Sequence, residues 1–360
     1  MQRSKKPPRT TRKRRPGQKT GPTVADVARA AGVSPMTVSR VVNGEPNVLS
    51  KTRDAVQKAI GALGYAPNAA ARSLAGGKQC RVAVVYSNPS AAYLSELLVG
   101  SLAQATAMDV QLAIEQRGER EYAEALVRRL VQHKIDGVLL PPPHCDDAKL
   151  LAAFERSGLP VVQIATGRPA LFAHAVMIGD ESAAHAMTTH LIALGHHRIG
   201  FIAGNPNQTA SALRQAGYAR ALGEAGLVVD AEIVAQGDFT YRSGLDAAEI
   251  LLACVPRPTA LFASNDDMAA AAVAVAHRRR INVPGELSVC GFDDSAMATT
   301  IWPELTTIRQ PVAEMARQAI ALLGASARRR SATTTPSPQH VRLDFELVHR
   351  NSVGPRPEGP

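Results

Sequence analysis

From Arg81 onward, short β-rich runs alternate with helical stretches, and this alternation narrows the possible folds to parallel α/β architectures. The runs are "RVAVVYS", "VQLAIEQ", "DGVLLP" and "PVVQIA", followed by "RIGFIAG", "IVAQG", "TALFASN" and "LSVCGF". Between them stand amphipathic stretches such as Tyr122 to His133, Ala183 to Leu194 and Tyr241 to Leu252, with apolar residues at helical spacing. Parallel neighbours need a crossover long enough to hold a helix, so the repetition implies doubly wound sheets. The pattern runs through twice, with a break near residues 165 to 178. Two similar lobes are expected, about 79–165 and 175–305, with the chain crossing back after about 306 within a core of residues 79–350 and leaving a tail at 351–360. The carboxyl ends of such strands border a crevice, the natural place for a small molecule.

From Thr23 to residue 66 the period is helical. Thr23 is a candidate N-cap, and Val24, Val27, Ala28 and Ala31 recur at the spacing of a buried helix face. Gly32 tolerates positive φ, Val33 can plug the core, and Ser34 can cap a second helix whose first residue, Pro35, loses no hydrogen bond there. Val38, Val41 and Val42 then face inward, and Pro35, Met36, Ser39 and Arg40 face outward. A third helix begins near Ser50 or Lys51, turns Ala55, Val56, Ala59, Ile60 and Leu63 inward, and ends at Gly64. Helix, tight turn, helix and bracing helix form a helix-turn-helix module over residues 23–66.

Charge separates the same segments. Residues 1–22 hold nine Lys or Arg and no acid, which is nearly all of the net charge of +10. Residues 23–78 add seven bases against three acids, so the remaining 282 residues carry a net −3. A disordered basic arm and a basic module joined to a slightly acidic body suit a polyanionic partner. A solvated tail with no partner is the alternative for the arm alone. The apolar fraction of 45% with 4% aromatics fits a globular α/β protein, and no run of about 18 uncharged apolar residues suggests a membrane span. The basic start has no apolar stretch after it, so a cytoplasmic location is expected. Cys80, Cys145, Cys254 and Cys290 stand far apart, and neither a metal site nor a cofactor is expected.

The segment "TVADVARAAGVSPMTVSRVVNGEPNVLSKTRDAVQKAIGALGYAPNAAARSLAGG" resembles the N-terminal headpiece of the lac repressor (LacI/GalR) family almost without gaps. The elements that carry the likeness are D-V-A, A-G-V-S, T-V-S-R-V, T-R-x-x-V, L-G-Y-x-P-N and A-R-S-L. The resemblance implies a recognition helix with its N-terminal residues at major-groove base edges. Pro35 and Met36 then occupy the operator-discriminating positions and read apolar features or shape, because neither pairs strongly with bases. Arg40 carries the fork suited to guanine, while Thr37, Ser39, Asn43 and Thr52 suit phosphates. With Thr23, Ser34, Tyr65, Asn68 and Arg72 these make up the expected DNA-contacting set. Residues 67–78 resemble the family's hinge helix, in which Leu74 wedges into a minor-groove step as two chains meet on DNA. A flexible tether with Leu74 buried is the other reading.

The likeness continues over roughly residues 23 to 323. "HLIALGHHRIGFIAG", "SALRQAGYARAL", "PTALFASNDDMAAAAV", "VPGELSVCGFDD" and "PELTTIRQP" resemble the family's effector-binding core, which is similar to periplasmic sugar-binding proteins. The fold class implied is α/β, an all-α helix-turn-helix headpiece plus a two-lobed core of doubly wound parallel sheets. Carried over by position, Arg214, Asn265 and Asp293 line the cleft, Phe239 offers an aromatic face to a sugar, and the segment Ser87 to Tyr93 faces the same gap from the first lobe. Ala165 stands where many relatives place a sugar-binding aspartate, and Pro141-Pro142-Pro143 and Val312 also depart from the pattern. The implied partners are double-stranded operator DNA, a small-molecule effector and a second copy of the chain, with no membrane and no cofactor.

Blander readings stand beside these. Asp266 suits helix capping, and Asp293 with Asp294 suits a loop's own hydrogen bonding. His196 and His197 suit a turn, Trp302 suits interface or lobe packing, and Ser326 to Pro338 is a polar insert before an edge strand in "VRLDFELVHRNS". An enzyme using Asp293 and Asp294 as an acid/base pair is a further alternative, although adjacent residues converge only if the loop turns. A transport-type binding protein is another, but it leaves residues 1–78 without a use.

Overall fold

The computed structural model describes residues 22–42, 48–65, 79–87, 90–118, 121–329 and 337–357. The chain divides into two compact units, residues 1–78 and 79–360. No helix among the described residues is long and apolar enough to cross a membrane.

In the first unit, α1 (Val24–Ala31) begins with a capping box in which the Thr23 hydroxyl accepts from the Asp26 amide and the Asp26 carboxylate accepts from the Thr23 amide. Gly32, at φ 65°, closes α1 and turns the chain toward α2 (Pro35–Val42). The Ser34 hydroxyl accepts from the Thr37 amide at 3.1 Å and so caps α2 as the sequence suggests. The third helix, α3 (Ser50–Leu63), ends at Gly64 with φ 59°. Val27, Ala28, Val38, Val41, Val56, Ala59 and Tyr65 form the core, with Val33 and Val42 packed at its margin. Two inward assignments fail: Ala55 is exposed and Leu63 is 39% exposed. A three-helix unit this small has one narrow seam, which Val56 and Ala59 already fill.

In the second unit the first lobe carries a six-stranded sheet of β1 (Arg81–Tyr86), β2 (Gln111–Gln116), β3 (Gly137–Leu140), β4 (Val161–Ile164), β5 (His174–Met177) and β11 (His340–Arg342), in the order β11-β5-β4-β3-β1-β2. Every pairing in it is parallel. The second lobe holds β6 (Ile199–Ala203), β7 (Val234–Gln236), β8 (Ala260–Ala263) and β9 (Ser288–Cys290), ordered β7-β6-β8-β9 and again parallel. The strand order reverses beside β1 in one sheet and beside β6 in the other. These are the switch points at which a doubly wound sheet opens a crevice.

Helices α4 (Ala91–Ala107), α5 (Ala123–Gln132) and α6 (Ala148–Ser157) flank the first sheet. Helices α7 (Asp180–Ala193), α8 (Thr209–Glu224), α9 (Tyr241–Leu251) and α10 (Asp266–Arg278) follow β5 to β8, and the short α11 (Ala296–Thr300) follows β9. One apolar core runs through both lobes, from Val82, Leu139 and Ile164 to Phe201, Tyr218 and Phe262. Phe201 stacks on Tyr218 at 4.8 Å, and the Tyr218 hydroxyl, buried with its ring, donates to the Ile199 carbonyl at 2.7 Å. Gly217 lets α8 lie against α7, because a Cβ there meets the Glu181 carbonyl at 2.1 Å.

Several boundaries shift from the sequence reading. The first sheet does not end near 165: β5 adds a fully paired strand at 174–177, inside the span assigned to the second lobe. The chain does return after 306, through β10 (Thr307–Arg309) and α12 (Val312–Arg329), whose Met315, Ala319 and Leu323 join the first-lobe core. The segment expected to be one edge strand divides in two. β11 extends the first sheet, and β12 (Glu346–Val348) pairs antiparallel with β10. Residues 351–357 are not a free tail, since Ser352 exchanges backbone and hydroxyl bonds with Val289, and Gly354 bonds Ser288 and His196. His196, fully buried between Thr259 and Gly354, therefore fixes a turn. Trp302 is 74% exposed, which removes lobe packing as its role.

Candidate functional site

On the first unit the outward face of α2 presents Pro35, Met36 and Arg40, with Met36 66% exposed. Thr37, Ser39 and Thr52 are half-buried beside them. The hydroxyls of Ser34 and Thr37 lie 2.9 Å apart, and Thr23 gives its hydroxyl proton to Asp26 at 2.6 Å, so the turn is preformed. The Thr23 hydrogen bonds hold the Asp26 carboxyl below its ordinary range. Tyr65 departs from the expected surface position: it is 8% exposed and part of the core, so only an edge of it reaches the surface. Asn43, Asn68, Arg72 and Leu74, with the basic arm and the hinge segment, lie outside the described residues.

In the second unit a cavity opens between the lobes, lined by residues that follow strand ends. Ser90 and Tyr93 follow β1, Pro142 follows β3, and Ala165 follows β4. From the second lobe come Gln208, Ala210 and Arg214 after β6, Phe239 after β7, Asn265 after β8 and Asp293 after β9, and Gln310 follows β10. Counted out to its mouth, with open solvent included, the space measures about 390 Å³. Five of the six residues expected to line the cleft meet here. Ser87 does not: the strand stops at Tyr86, Ser87 is exposed, and the chain reaches the cavity only at Ser90, the N-cap of α4.

Arg214 is 4% exposed and fixed from three sides. Its Nε donates to Asp180 at 2.8 Å, its Nη1 donates to the Ser264 carbonyl at 2.6 Å, and its guanidinium lies 3.6 Å from the Phe292 ring centre. Asp293 sits 3.8 Å from the same guanidinium and accepts from the Gln310 amide at 2.6 Å. Burial pushes the Asp293 carboxyl up to about 7, against the opposing pull of Arg214. Asn265 caps α10 through its oxygen and donates to the Phe239 carbonyl at 2.9 Å, which holds Phe239 at φ 73°. Gly204 completes this wall, since a Cβ there meets the Phe239 ring at 2.1 Å.

Asp266 is not the cap expected of it. It is 1% exposed and accepts from the Ser295 amide at 2.7 Å and the Thr307 hydroxyl at 2.6 Å, tying the β9 loop to β10. Asp293 and Asp294, at φ 114° and 55°, do turn the loop. Asp294 is held away by Arg309 and Arg350 at 2.7 and 2.5 Å, so the two carboxylates form no acid/base pair.

Sequence reasoning missed Asp146. It follows β3 in a short 3₁₀ turn and accepts from the Thr166 hydroxyl at 2.7 Å, the Thr209 amide at 2.8 Å and the Thr209 hydroxyl at 2.9 Å. Thr209 opens α8 in the second lobe and also accepts from the Gly167 amide at 2.6 Å, so this carboxylate ties lobe to lobe. On the facing side Ser90 hydrogen-bonds Asp267, a second tie across the cleft. Asp180, Gln208 and Gln310 were missed as well. The partners of Asp180 and Gln310 are distant in sequence, and only the aspartate beginning a helix at Asp180 was locally visible.

Residues 23–68 match the family model described as bacterial regulatory proteins of the lacI family, and residues 188–353 match that of a periplasmic binding protein-like domain. The chain is 36% identical over 303 residues to catabolite control protein A of Priestia megaterium, covering 84% of this chain and 91% of that protein. It is 35% identical over 343 residues to the HTH-type transcriptional regulator CelR of Thermobifida fusca, covering 92% and 98%. Among solved structures, a CelR–cellobiose complex superposes with a TM-score of 0.69 at 33% identity, over 92% of this chain and 99% of that one. A lac repressor dimer bound to operator and the anti-inducer ONPF superposes with a TM-score of 0.75 at 26% identity, over 93% and 100%.

Proposed function

The chain belongs to the LacI/GalR family of DNA-binding transcriptional regulators, and from that premise we propose that it is a repressor, two copies of which bind a palindromic operator and are switched by a small metabolite, a sugar or sugar derivative, held between the lobes. The observation that carries this reading is the α2 face, where Pro35, Met36 and Arg40 stand exposed at the start of a capped helix. Arg40 pairs with a guanine edge, and Pro35 and Met36 discriminate through thymine methyls or groove shape. Ser34, Thr37, Ser39 and Thr52, with Asn43 and Asn68, position the unit on phosphates, to which Thr23, Tyr65 and Arg72 add contacts near its edge. The basic arm contributes sequence-independent attraction, and Leu74 opens a minor-groove step.

In the cleft, Arg214, Asn265 and Asp293 take ligand hydroxyls, Phe239 covers a ring face, and Tyr93 closes the first-lobe side. Ligand favours one arrangement of the lobes, which changes the separation of the two 67–78 segments and so couples the sites. The role is regulatory rather than enzymatic: the curated relatives are named as regulators, and Asp293 and Asp294 do not converge on a substrate position. Sedimentation of the purified chain with a palindromic duplex from its own upstream region tests the assembly. Two chains per duplex are expected; one chain per duplex, or equal binding to a scrambled duplex, overturns the reading.

A further inference from the structure

Four of the fifteen exposed large apolar side chains among the described residues, Val228, Val229, Ile250 and Val255, sit at one end of the second lobe, and such a group on adjoining loops marks a contact surface rather than scattered exposure. Val228 and Val229 lie in the α8–β7 loop, Ile250 in the last turn of α9, and Val255 in the α9–β8 loop. The cleft is lined by residues that follow the strands, whereas these enter them, so they occupy the opposite pole. Val228 is 88% exposed and Val255 91% exposed, which is nearly the whole of each side chain.

The loops that carry them are tied to one another. Arg198 donates to the Pro256 carbonyl at 2.8 Å and pairs with Asp230, the Cys254 thiol donates to the Glu232 carbonyl at 3.5 Å, and Arg279 donates to the Leu252 carbonyl at 3.0 Å. The valines stand on a preformed surface, and covering them orders little that is not already ordered.

Charge indicates what covers them. Because the sheet runs β7-β6-β8-β9 with every strand parallel, the loops entering those strands stand in the same order across the pole. The first of them, residues 225–233, carries Asp230 and Glu232, and at the far side the end of α10 carries Arg278, Arg279 and Arg280. Arg198 answers Asp230, and Glu249 is shared by Arg278 and Arg279. The side chains of Glu232 and Arg280 are exposed and have no partner among the described residues. One flank is thus left negative and the other positive, with the apolar group between them. A two-fold axis along the strands lays each flank on the opposite flank of a second copy, as an isologous contact requires. An acidic partner of another kind would answer the arginines but set like charge against Glu232, and a basic one would do the reverse.

We propose that this pole is a self-association surface for a second copy of the chain, with Val228, Ile250 and Val255 meeting across a two-fold axis and Glu232 pairing with the partner's Arg280. The contact goes beyond the two-chain operator complex and uses neither the cleft nor the recognition helix. Four apolar side chains and their rim cover roughly 500–600 Å² a side, the size of a weak and reversible interface.

The test is sedimentation velocity of the full chain without DNA, at concentrations from about 1 to 100 micromolar. The species present at the lowest concentration is expected to double in mass, with the midpoint at tens of micromolar. Val228→Asp and Val255→Asp are each expected to weaken that step at least about tenfold, because each sets a carboxylate against its own copy, and to leave the melting temperature unchanged, because neither side chain is buried within the chain. Glu232→Lys and Arg280→Glu should each weaken it about three- to tenfold, and the variant carrying both should recover the wild-type step, since the pair is then restored with its signs exchanged. Leu102→Asp, at an exposed position on the first lobe, should leave the doubling in place. No doubling by the highest concentration overturns the proposal, as does doubling that survives Val255→Asp, doubling abolished by Leu102→Asp, or a double charge reversal that associates no better than the single ones.

Discussion

Replacing Asp146 by alanine should open the lobes. The carboxylate accepts three hydrogen bonds at 2.7 to 2.9 Å, two of them from Thr209 at the start of α8 in the second lobe, which are the ones that cross between lobes, and one from Thr166 in the β4–β5 loop of its own lobe. Hydrogen bonds to a charged group contribute about 1.5–3 kcal/mol each, and water entering the vacated space recovers part of that. The net shift is then about 2–4 kcal/mol toward the open arrangement, or about 30- to 700-fold in the closed-to-open ratio. Because ligand binds the closed form, its apparent affinity should fall by about tenfold or more. Thr209→Val, which keeps the amide and loses the hydroxyl, should produce a smaller fall of about threefold. Solution scattering of the unliganded variant should give a larger radius of gyration than wild type, and calorimetry should register the weaker ligand binding. A radius and an affinity both unchanged in Asp146→Ala would refute the idea that this carboxylate holds the lobes together.

Three other expectations follow from the same geometry. Arg40→Ala should cost about 1–3 kcal/mol on the operator and relax discrimination at one base pair, checked by binding to a set of single-substituted duplexes. Deleting residues 1–19 should weaken binding to every sequence alike and flatten the dependence of log affinity on log salt, measured by fluorescence anisotropy from 50 to 200 mM salt. Asp293 titrates in the folded protein near 7, above its unfolded value, so between those values the folded state binds more protons and this group's contribution to stability falls as pH rises. Asp293→Asn should therefore flatten the fall in core melting temperature between pH 5 and 8; an unchanged pH profile in the variant would contradict the assignment.

Much of the architecture is legible because its causes are local. The runs of β3, β4, β6 and β8 are buried on both faces, so each reads as a continuous β-rich segment, and Thr23, Gly32, Ser34 and Gly64 mark helix ends by their own chemistry. The strands that escaped notice are short and depend on partners far away. β5 is four residues long, and its neighbour β11 lies more than 160 residues on. The lobe boundary was misplaced for that reason. The cleft divides the same way. Arg214, Asn265 and Asp293 were found through a resemblance spanning most of the chain, while Asp146 was passed over, because "HCDD" reads as a loop until Thr209, 63 residues later, arrives beside it. Tyr65 erred in the opposite direction. Its place in a recognisable motif marked it as important, but nothing local revealed that its ring completes the small core of the headpiece.

The central claim is that occupancy of the cleft changes affinity for DNA. The most direct measurement is fluorescence anisotropy of the full chain on a labelled palindrome from its own upstream region, titrated with and without a saturating ligand found by a thermal-shift screen of sugars, sugar acids and nucleosides. A shift in operator affinity of about fivefold or more, absent in Arg214→Met and absent on a scrambled duplex, is the predicted result. Identical operator affinity with the cleft empty and full would contradict the account.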